Sequence, residues 1–275
     1  MDFFTAIILG LVQGLTEFLP VSSSAHVSIV GRLLGSEDPG AAFTAITQLG
    51  TEAAVVIYFW SDITTIIRKW FGALAGKVAK DDPDVRMGWL VIIGTIPIAM
   101  LGILFQDTIE TSLRSLWITA TMLLVFAFVI LAAERVGRQQ RELTDLTWRS
   151  GISFGLWQAL ALIPGVSRSG GTIAGGLFMG FTRVAAARYS FLLAIPAVIA
   201  SGGLQVVKIA AGEGTGETGW GPIIIATLIA FAVGYAVIAW FMRYITTHTF
   251  TPFMIYRIVL ALGLFALLGT GTIAA

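Results

Sequence analysis

Long apolar runs, several of them charge-free, dominate this chain, and they are of two kinds. Runs at about 41–60, 87–105, 115–133, 187–207, 221–242 and 253–273 each approach the ~20 residues that an α-helix needs to cross a bilayer. Four others, at 3–16, 27–35, 151–163 and 173–181, are too short to cross alone. They fall in two pairs, each interrupted by a polar stretch, a pattern that predicts a helix entering the membrane, a polar break, and a helix returning. The first break runs Glu17-Phe18-Leu19-Pro20-Val21-Ser22-Ser23-Ser24-Ala25-His26, and the second Pro164-Gly165-Val166-Ser167-Arg168-Ser169-Gly170-Gly171-Thr172.

The two pairs echo each other. With a shift of 145 and no gap, Gly10, Leu11, Gln13, Leu15, Val21, Ser22, Ser24, Gly31 and Gly35 fall on identical residues at 155, 156, 158, 160, 166, 167, 169, 176 and 180. The expected fold is therefore an all-α polytopic membrane protein, a single membrane domain over 1–275. It is built as an inverted-topology repeat of about 1–134 and about 147–275, each half a re-entrant helix pair plus three transmembrane helices. An odd number of crossings per half turns the second copy upside down. Arg68, Lys69, Lys77 and Lys80 sit in one expected loop and Arg135, Arg138, Arg141 and Arg149 in another, two crossings apart. The positive-inside rule makes that side cytoplasmic. Loops 36–40 and 209–220, which carry Glu37, Asp38, Glu213 and Glu217, then face outward, as do both termini, and the two breaks approach each other near the midplane.

Composition agrees and removes several classes. Charged residues make up 12% of the chain, against roughly 25% in soluble domains. A net charge of +1 argues against a nucleic-acid partner. The absence of cysteine excludes disulfides, thiolate nucleophiles and thiolate metal sites. The opening Met1-Asp2-Phe3-Phe4 lacks the basic start of a signal peptide, so the first segment is expected to remain in the mature protein.

Polar groups lodged between membrane segments are the candidates for chemistry. A serine after a Pro-Gly break caps a half-helix well, and the exposed N–H groups of such a helix suit an anion. Arg168 adds a planar fork matched to phosphate. Two readings of Arg168 stand, a structural ion pair with Glu17 or anion recognition, and the flanking hydroxyls favour the second. Ser23 and His26 share a helix face if a helix begins at Ser22–Ser24, the minimum for an activated hydroxyl. Histidine could equally activate water, or simply bond backbone. Glu17 could orient His26 or help to hold a divalent ion carried by phosphate, and Gln13, at i, i+4 from Glu17, could be a ligand or a packing amide. Glu52 with Gln48 forms a polar stripe that could line the same cavity or pair with another span. Gly151-Ile152-Ser153-Phe154-Gly155 fits the serine-hydrolase elbow in spacing, but without a strand–turn–helix context. His248 reads as a solvated turn residue, and Arg183 and Arg188 as cytoplasmic anchors.

Both breaks resemble the motifs of the undecaprenyl-diphosphate phosphatase family, the bacitracin-resistance type of bacterial inner membranes. Its first motif, (E/Q)xxxE then LPVSS and a histidine, reads here as Gln13-x-x-x-Glu17, Leu19-Pro20-Val21-Ser22-Ser23 and His26. Its second, PGxSRSxxT, reads as Pro164-Gly165-x-Ser167-Arg168-Ser169-x-x-Thr172. The resemblance covers the whole chain. It implies hydrolysis of undecaprenyl diphosphate to undecaprenyl phosphate and inorganic phosphate, which recycles the carrier for cell-wall synthesis and confers resistance to bacitracin. It also implies a divalent cation, Mg²⁺ or Ca²⁺, and a multi-pass protein of the inner membrane whose site opens to the outer face. The partners expected are a polyprenyl diphosphate substrate, membrane lipids and, in the assembly, room for a homodimer.

By motif position, Ser23 would be nucleophile or phosphate ligand, His26 base or acid, Glu17 a metal ligand or partner of His26, and Arg168 the phosphate clamp. Ser22, Ser167, Ser169 and Thr172 would add phosphate donors. Gln13, the uncharged option at its motif position, would join Glu17 at the metal with less negative charge, and Ala25 replaces the glycine often found before the histidine. The alternative is a transporter or lipid-carrier flippase using the same midplane anion site, since broken helices in inverted repeats also serve transport.

Overall fold

The computed structural model describes residues 1–35, 40–211 and 219–273. Much of the two expected acidic loops, at 36–39 and 212–218, lies outside them. The helices run α1 (Phe3–Thr16), α2 (Ser23–Leu33), α3 (Gly40–Tyr58), α4 (Trp60–Leu74), α5 (Pro83–Leu104), α6 (Gln106–Glu110), α7 (Leu116–Val136), α8 (Trp148–Ala159), α9 (Arg168–Phe178), α10 (Arg183–Ala210), α11 (Trp220–Tyr244) and α12 (Thr251–Gly269). Three single 3₁₀ turns join them, and among the described residues there is no strand.

Five helices, α5, α7, α10, α11 and α12, are long and apolar enough to cross a membrane. The chain is thus an all-helical, multi-pass membrane protein, as its apolar periodicity predicts. The remaining expected span, 41–60, corresponds to α3, 19 residues long, which packs against α1, α10 and α11. The four short runs are helices of 14, 11, 12 and 11 residues. At 1.5 Å per residue the longest is about 21 Å, short of the ~30 Å hydrocarbon core.

One expectation needs correction. Of the basic residues expected in loops, Arg135 lies in the last turn of α7, Arg149 in the first turn of α8, and Arg68 and Lys69 in α4, an amphipathic helix that follows α3 after a break of one residue. Trp60, Ile67, Phe71 and Leu74 are exposed on it, and Lys69 pairs with Asp82 (3.0 Å) and Asp84 (2.7 Å) at the start of α5. Such a helix suits the plane of the interface, its apolar side towards lipid, and its alternation is too diluted by polar residues to register as a span.

Below the two breaks the interior is aromatic. Phe18 packs edge-on against Phe191 (centroids 5.5 Å apart), Phe154 against Tyr189 (4.8 Å), and the buried Tyr189 hydroxyl donates to the Leu90 carbonyl (2.9 Å). Arg183 and Arg188 are more than surface anchors. Arg183 donates to Glu134 (2.6 Å) and Arg188 to Asp62 (2.5 Å), and Glu134 also accepts the Phe250 amide (3.1 Å), which ties α7, α10 and the start of α12 together.

The breaks themselves are held by Arg257, in the middle of the apolar α12 and wholly buried. All five of its N–H donors are used on main-chain carbonyls. Nε donates to Leu123 (3.1 Å), Nη1 to Pro20 (2.9 Å) and Val166 (3.2 Å), and Nη2 to Met122 (3.2 Å) and Gly165 (2.7 Å). Pro20 lies in the first break, Gly165 and Val166 in the second, so one guanidinium clasps both. Gly165 has φ +94, and a β-carbon there would lie 2.4 Å from the Thr119 carbonyl oxygen, so no other residue fits. Lysine has three donors for these five carbonyls. Arg257→Lys is expected to lower the thermal stability of the detergent-solubilised protein, at a cost of about 1–3 kcal/mol for each buried carbonyl left unpaired. A melting temperature equal to wild type would show that the breaks hold without the clasp.

Candidate functional site

Both breaks end in the same strained residue. Ser22 has φ 73 and ψ 92, and Ser167, its equivalent at a shift of 145, has φ 73 and ψ 120. Serine is held at positive φ only where surrounding structure insists, and such strain collects at functional sites. In each case the strained serine precedes a helix of 11 residues, α2 beginning at Ser23 and α9 at Arg168. Ser23 and Arg168 thus occupy corresponding first positions of two half-helices. Ser22 Oγ lies 3.3 Å from Ser24 Oγ and Ser167 Oγ 3.2 Å from Ser169 Oγ. Ser167 also accepts the Gly170 N–H (3.1 Å), the capping bond that its sequence predicts.

The two breaks meet. Arg168 Nη2 donates to Glu17 Oε1 at 2.5 Å, and Ser169 Oγ donates to the Leu19 carbonyl at 3.2 Å. Glu17, its side chain 5% exposed, gathers three partners. Its Oε1 takes Arg168, while Oε2 takes the Ser23 hydroxyl (2.5 Å) and Gln13 Nε2 (2.7 Å). Both readings of Arg168 are therefore compatible with the geometry. It forms the ion pair with Glu17, yet uses only Nη2 in hydrogen bonds among the described residues, leaving the rest of its fork for an anion. Glu17, Phe18, Glu52, Val55, Arg168, Ser169, Ser190, Phe191 and Ala194 line a small, tight pocket between the breaks, α3 and α10.

The remaining candidates separate. Ser23 and His26 share α2, but the histidine is not the serine's partner. His26 Nδ1 lies 2.7 Å from the Ser22 carbonyl, which can only accept, so Nδ1 carries the proton. Nε2 is then the acceptor for the Tyr256 hydroxyl, 2.7 Å away, and the rings stack at 5.5 Å. Thr172 is fully buried and turns its hydroxyl to the Arg168 carbonyl (2.7 Å) and to Ser190 on α10. Glu52 does both things expected of it, lining the pocket and standing 3.9 Å from Arg168 Nη2 on α9. The Gly151–Gly155 elbow is continuous helix within α8, which removes it. His248 is exposed in a turn and stacks on Tyr244.

Sequence reasoning missed two residues, Tyr256 and Arg257, adjacent on α12. A charged residue inside an apolar run was the available signal, since an intramembrane arginine demands a reason. A larger cavity between α5, α6 and α8 is lined by Leu101, Phe105, Ile109, Leu156, Leu160 and Ile163 among others and by no charged residue, so it suits hydrocarbon rather than phosphate.

A divalent ion would find hard oxygen donors here. Glu17 and Glu52 both line the pocket, and Gln13 Oε1 and Glu52 Oε1 are buried with no hydrogen-bond partner. Among the described residues no three His, Asp or Glu side chains form a cage. The donor set fits an ion that brings phosphate oxygens and water with it, the usual habit of Mg²⁺.

Comparison with known proteins gives the same direction. The family model described as bacitracin resistance protein BacA matches residues 6–263. The chain is 62% identical to the undecaprenyl-diphosphatase of Micrococcus luteus and 60% identical to that of Pseudarthrobacter chlorophenolicus, in each case over 100% of both chains. It is 54% identical to undecaprenyl-diphosphatase 2 of Streptomyces avermitilis, covering 100% of this chain and 97% of that one. With the family model matching nearly the whole chain and full-length relatives at 54–62% identity, the chain belongs to the bacitracin resistance protein BacA family.

Proposed function

We propose that the protein hydrolyses undecaprenyl diphosphate to undecaprenyl phosphate and inorganic phosphate, the carrier-recycling reaction that its relatives' names describe. One observation carries the site reading: a single buried carboxylate, Glu17, holds both the Ser23 hydroxyl from the first break and Arg168 from the second. Nucleophile and anion clamp are thereby set beside each other. The transport alternative is not favoured, because a carrier needs the clamp and has no use for an activated hydroxyl.

In this reading Arg168 takes the terminal phosphate with its free N–H groups, aided by the hydroxyls of Ser22 and Ser167 and, once it gives up its bond to the Leu19 carbonyl, Ser169. Thr172 supports from behind by fixing the start of α9 against Ser190. Ser23 Oγ attacks the terminal phosphorus as its proton passes to Glu17. An Oγ–P bond forms, the bridging P–O bond breaks, and undecaprenyl phosphate leaves with the electron pair. Water then cleaves the phosphoserine, with His26 Nε2, freed from Tyr256, as the base. A divalent ion held by Glu17, with Gln13 beside it, would neutralise phosphate charge when bound. The polyprenyl chain stays in the bilayer while its headgroup enters the pocket.

The finer architecture supports the same reading. We infer two inverted halves, about 1–134 and about 147–275, in a single domain, with α1–α2 and α8–α9 as re-entrant pairs. In favour are the matching serines, half-helices of equal length, and packing that exchanges between halves. α1 packs on α11 as α8 packs on α5, and α3 on α11 as α10 on α5. Corresponding glycines permit the first exchange: a β-carbon at Gly10 would lie 2.6 Å from the Ala226 carbonyl oxygen, and one at Gly155 2.4 Å from that of Gly94. The basic stretches argue for α4 and the 137–147 segment at the cytoplasmic side of a bacterial inner membrane, and the family resemblance argues for a site that opens to the outer face.

Purified protein given lipid diphosphate with Mg²⁺ or Ca²⁺ should release inorganic phosphate, and none released would sink the enzyme reading. Arg168→Ala and His26→Ala are each expected to lower turnover at least ~100-fold. Ser23→Ala should abolish release, whereas slow residual hydrolysis would move the attack to water. For topology, a single cysteine introduced at Lys77 should react with an impermeant thiol reagent only from the cytoplasmic side. Labelling from outside would reverse the orientation.

A further inference from the structure

Glu52 sits on α3, outside both breaks, and the reaction just described gives it no task. Its side chain is 4% exposed, and its Oε1 has no hydrogen-bond partner. Oε2 stands 3.9 Å from Arg168 Nη2, beyond hydrogen-bonding range, while the same nitrogen bonds Glu17 at 2.5 Å. One guanidinium is therefore shared by two buried carboxylates, and it serves the second poorly. Among the described residues neither carboxylate has another cation.

That arrangement cannot survive the arrival of substrate unchanged. A diphosphate that engages Arg168 brings further negative charge to two carboxylates already out of water, and buried charge without compensation costs several kcal/mol. A cation entering with the phosphate restores the balance. The unpartnered oxygens define what it would be, since carboxylate and amide oxygens are donors for a hard divalent ion. Gln13 is neutral, so α1 brings a single carboxylate to the site. A second must come from another helix, and Glu52 is the one that lines the pocket.

We propose that Glu52, together with Glu17, ligates a divalent cation that enters the site with the diphosphate of the substrate. The ion is thus held between α3 and the first break, opposite the second break and its arginine. This assignment rests on the phosphatase reading for the identity of the anion, while the residues it names belong to this chain's own geometry.

The test uses the full chain in detergent and the complex of Mn²⁺ with methylenediphosphonate, a diphosphate that cannot be hydrolysed. Binding is read from broadening of the Mn²⁺ electron paramagnetic resonance lines. Glu52→Gln, which keeps shape and removes charge, is expected to weaken binding at least about tenfold, since even outer-shell partners of a metal contribute that much. Glu52→Asp should recover part of the loss. Methylenediphosphonate without metal, followed by equilibrium dialysis, should bind Glu52→Gln at least as well as wild type. Equal binding of the Mn²⁺ complex by wild type and Glu52→Gln would overturn the assignment. So would an equal loss with and without metal, which would make Glu52 only a partner of Arg168. Phosphate release from the lipid substrate, measured on the same wild-type preparation, judges hydrolysis separately. Release with an unaltered Glu52→Gln affinity overturns the ion ligand alone; Glu52-dependent Mn²⁺ binding without release overturns hydrolysis alone.

Discussion

A helix that stops inside a packed apolar interior leaves carbonyls and amides with no water to receive them, and this protein stops helices in its buried interior twice, at the breaks before α2 and before α9. The cost of that constraint is met largely by one side chain. Arg257 spends every N–H it has on main-chain carbonyls, three of them in the two breaks. Ser169 adds a bond from the second break to the first. Once the carbonyls are answered, the breaks can lie against each other, and their helix N-termini, with free N–H groups, can point at a shared space. The strained serines at 22 and 167 are tolerable because the surrounding bonds leave the backbone no other course.

Within that space the polar groups are divided between the two breaks. The first break brings a carboxylate, a hydroxyl and a histidine, and the second brings a cation and more hydroxyls. At corresponding helix starts, one half has serine and the other arginine. On the proposed reading two breaks of matching pattern yield an asymmetric site, because single differences at equivalent positions would supply attack on one side and grip on the other. Glu17 joins them, and its burial makes its bonds to Ser23 and Arg168 count, since few solvent molecules compete.

Much of this was legible in the order of residues. Apolar run length separates spans from half-helices with no knowledge of contacts, because the bilayer has one thickness. The polar breaks stand out because polar groups in apolar surroundings are costly, and their motifs name a family. The amphipathic α4 was not legible, since its polar residues dilute the apolar count and its face needs a surface to define it. The pairing of Ser23 with Glu17, and of His26 with Tyr256, was equally out of reach. Helical spacing places Ser23 and His26 on one side of α2, but cannot say what stands opposite.

Sequence alone determined the class of the protein, its long and short apolar helices, the echo of one polar break in the other, and the two stretches where polar groups interrupt the apolar runs. These depend on local composition and on period, which act along the chain. Tertiary structure alone decided the partners. Tyr256 lies 230 positions from His26 and Arg257 237 positions from Pro20, so no local pattern links them. Hydrogen bonds and ion pairs depend on distances of a few ångströms in space, and only folding brings α3, α9 and α12 within them.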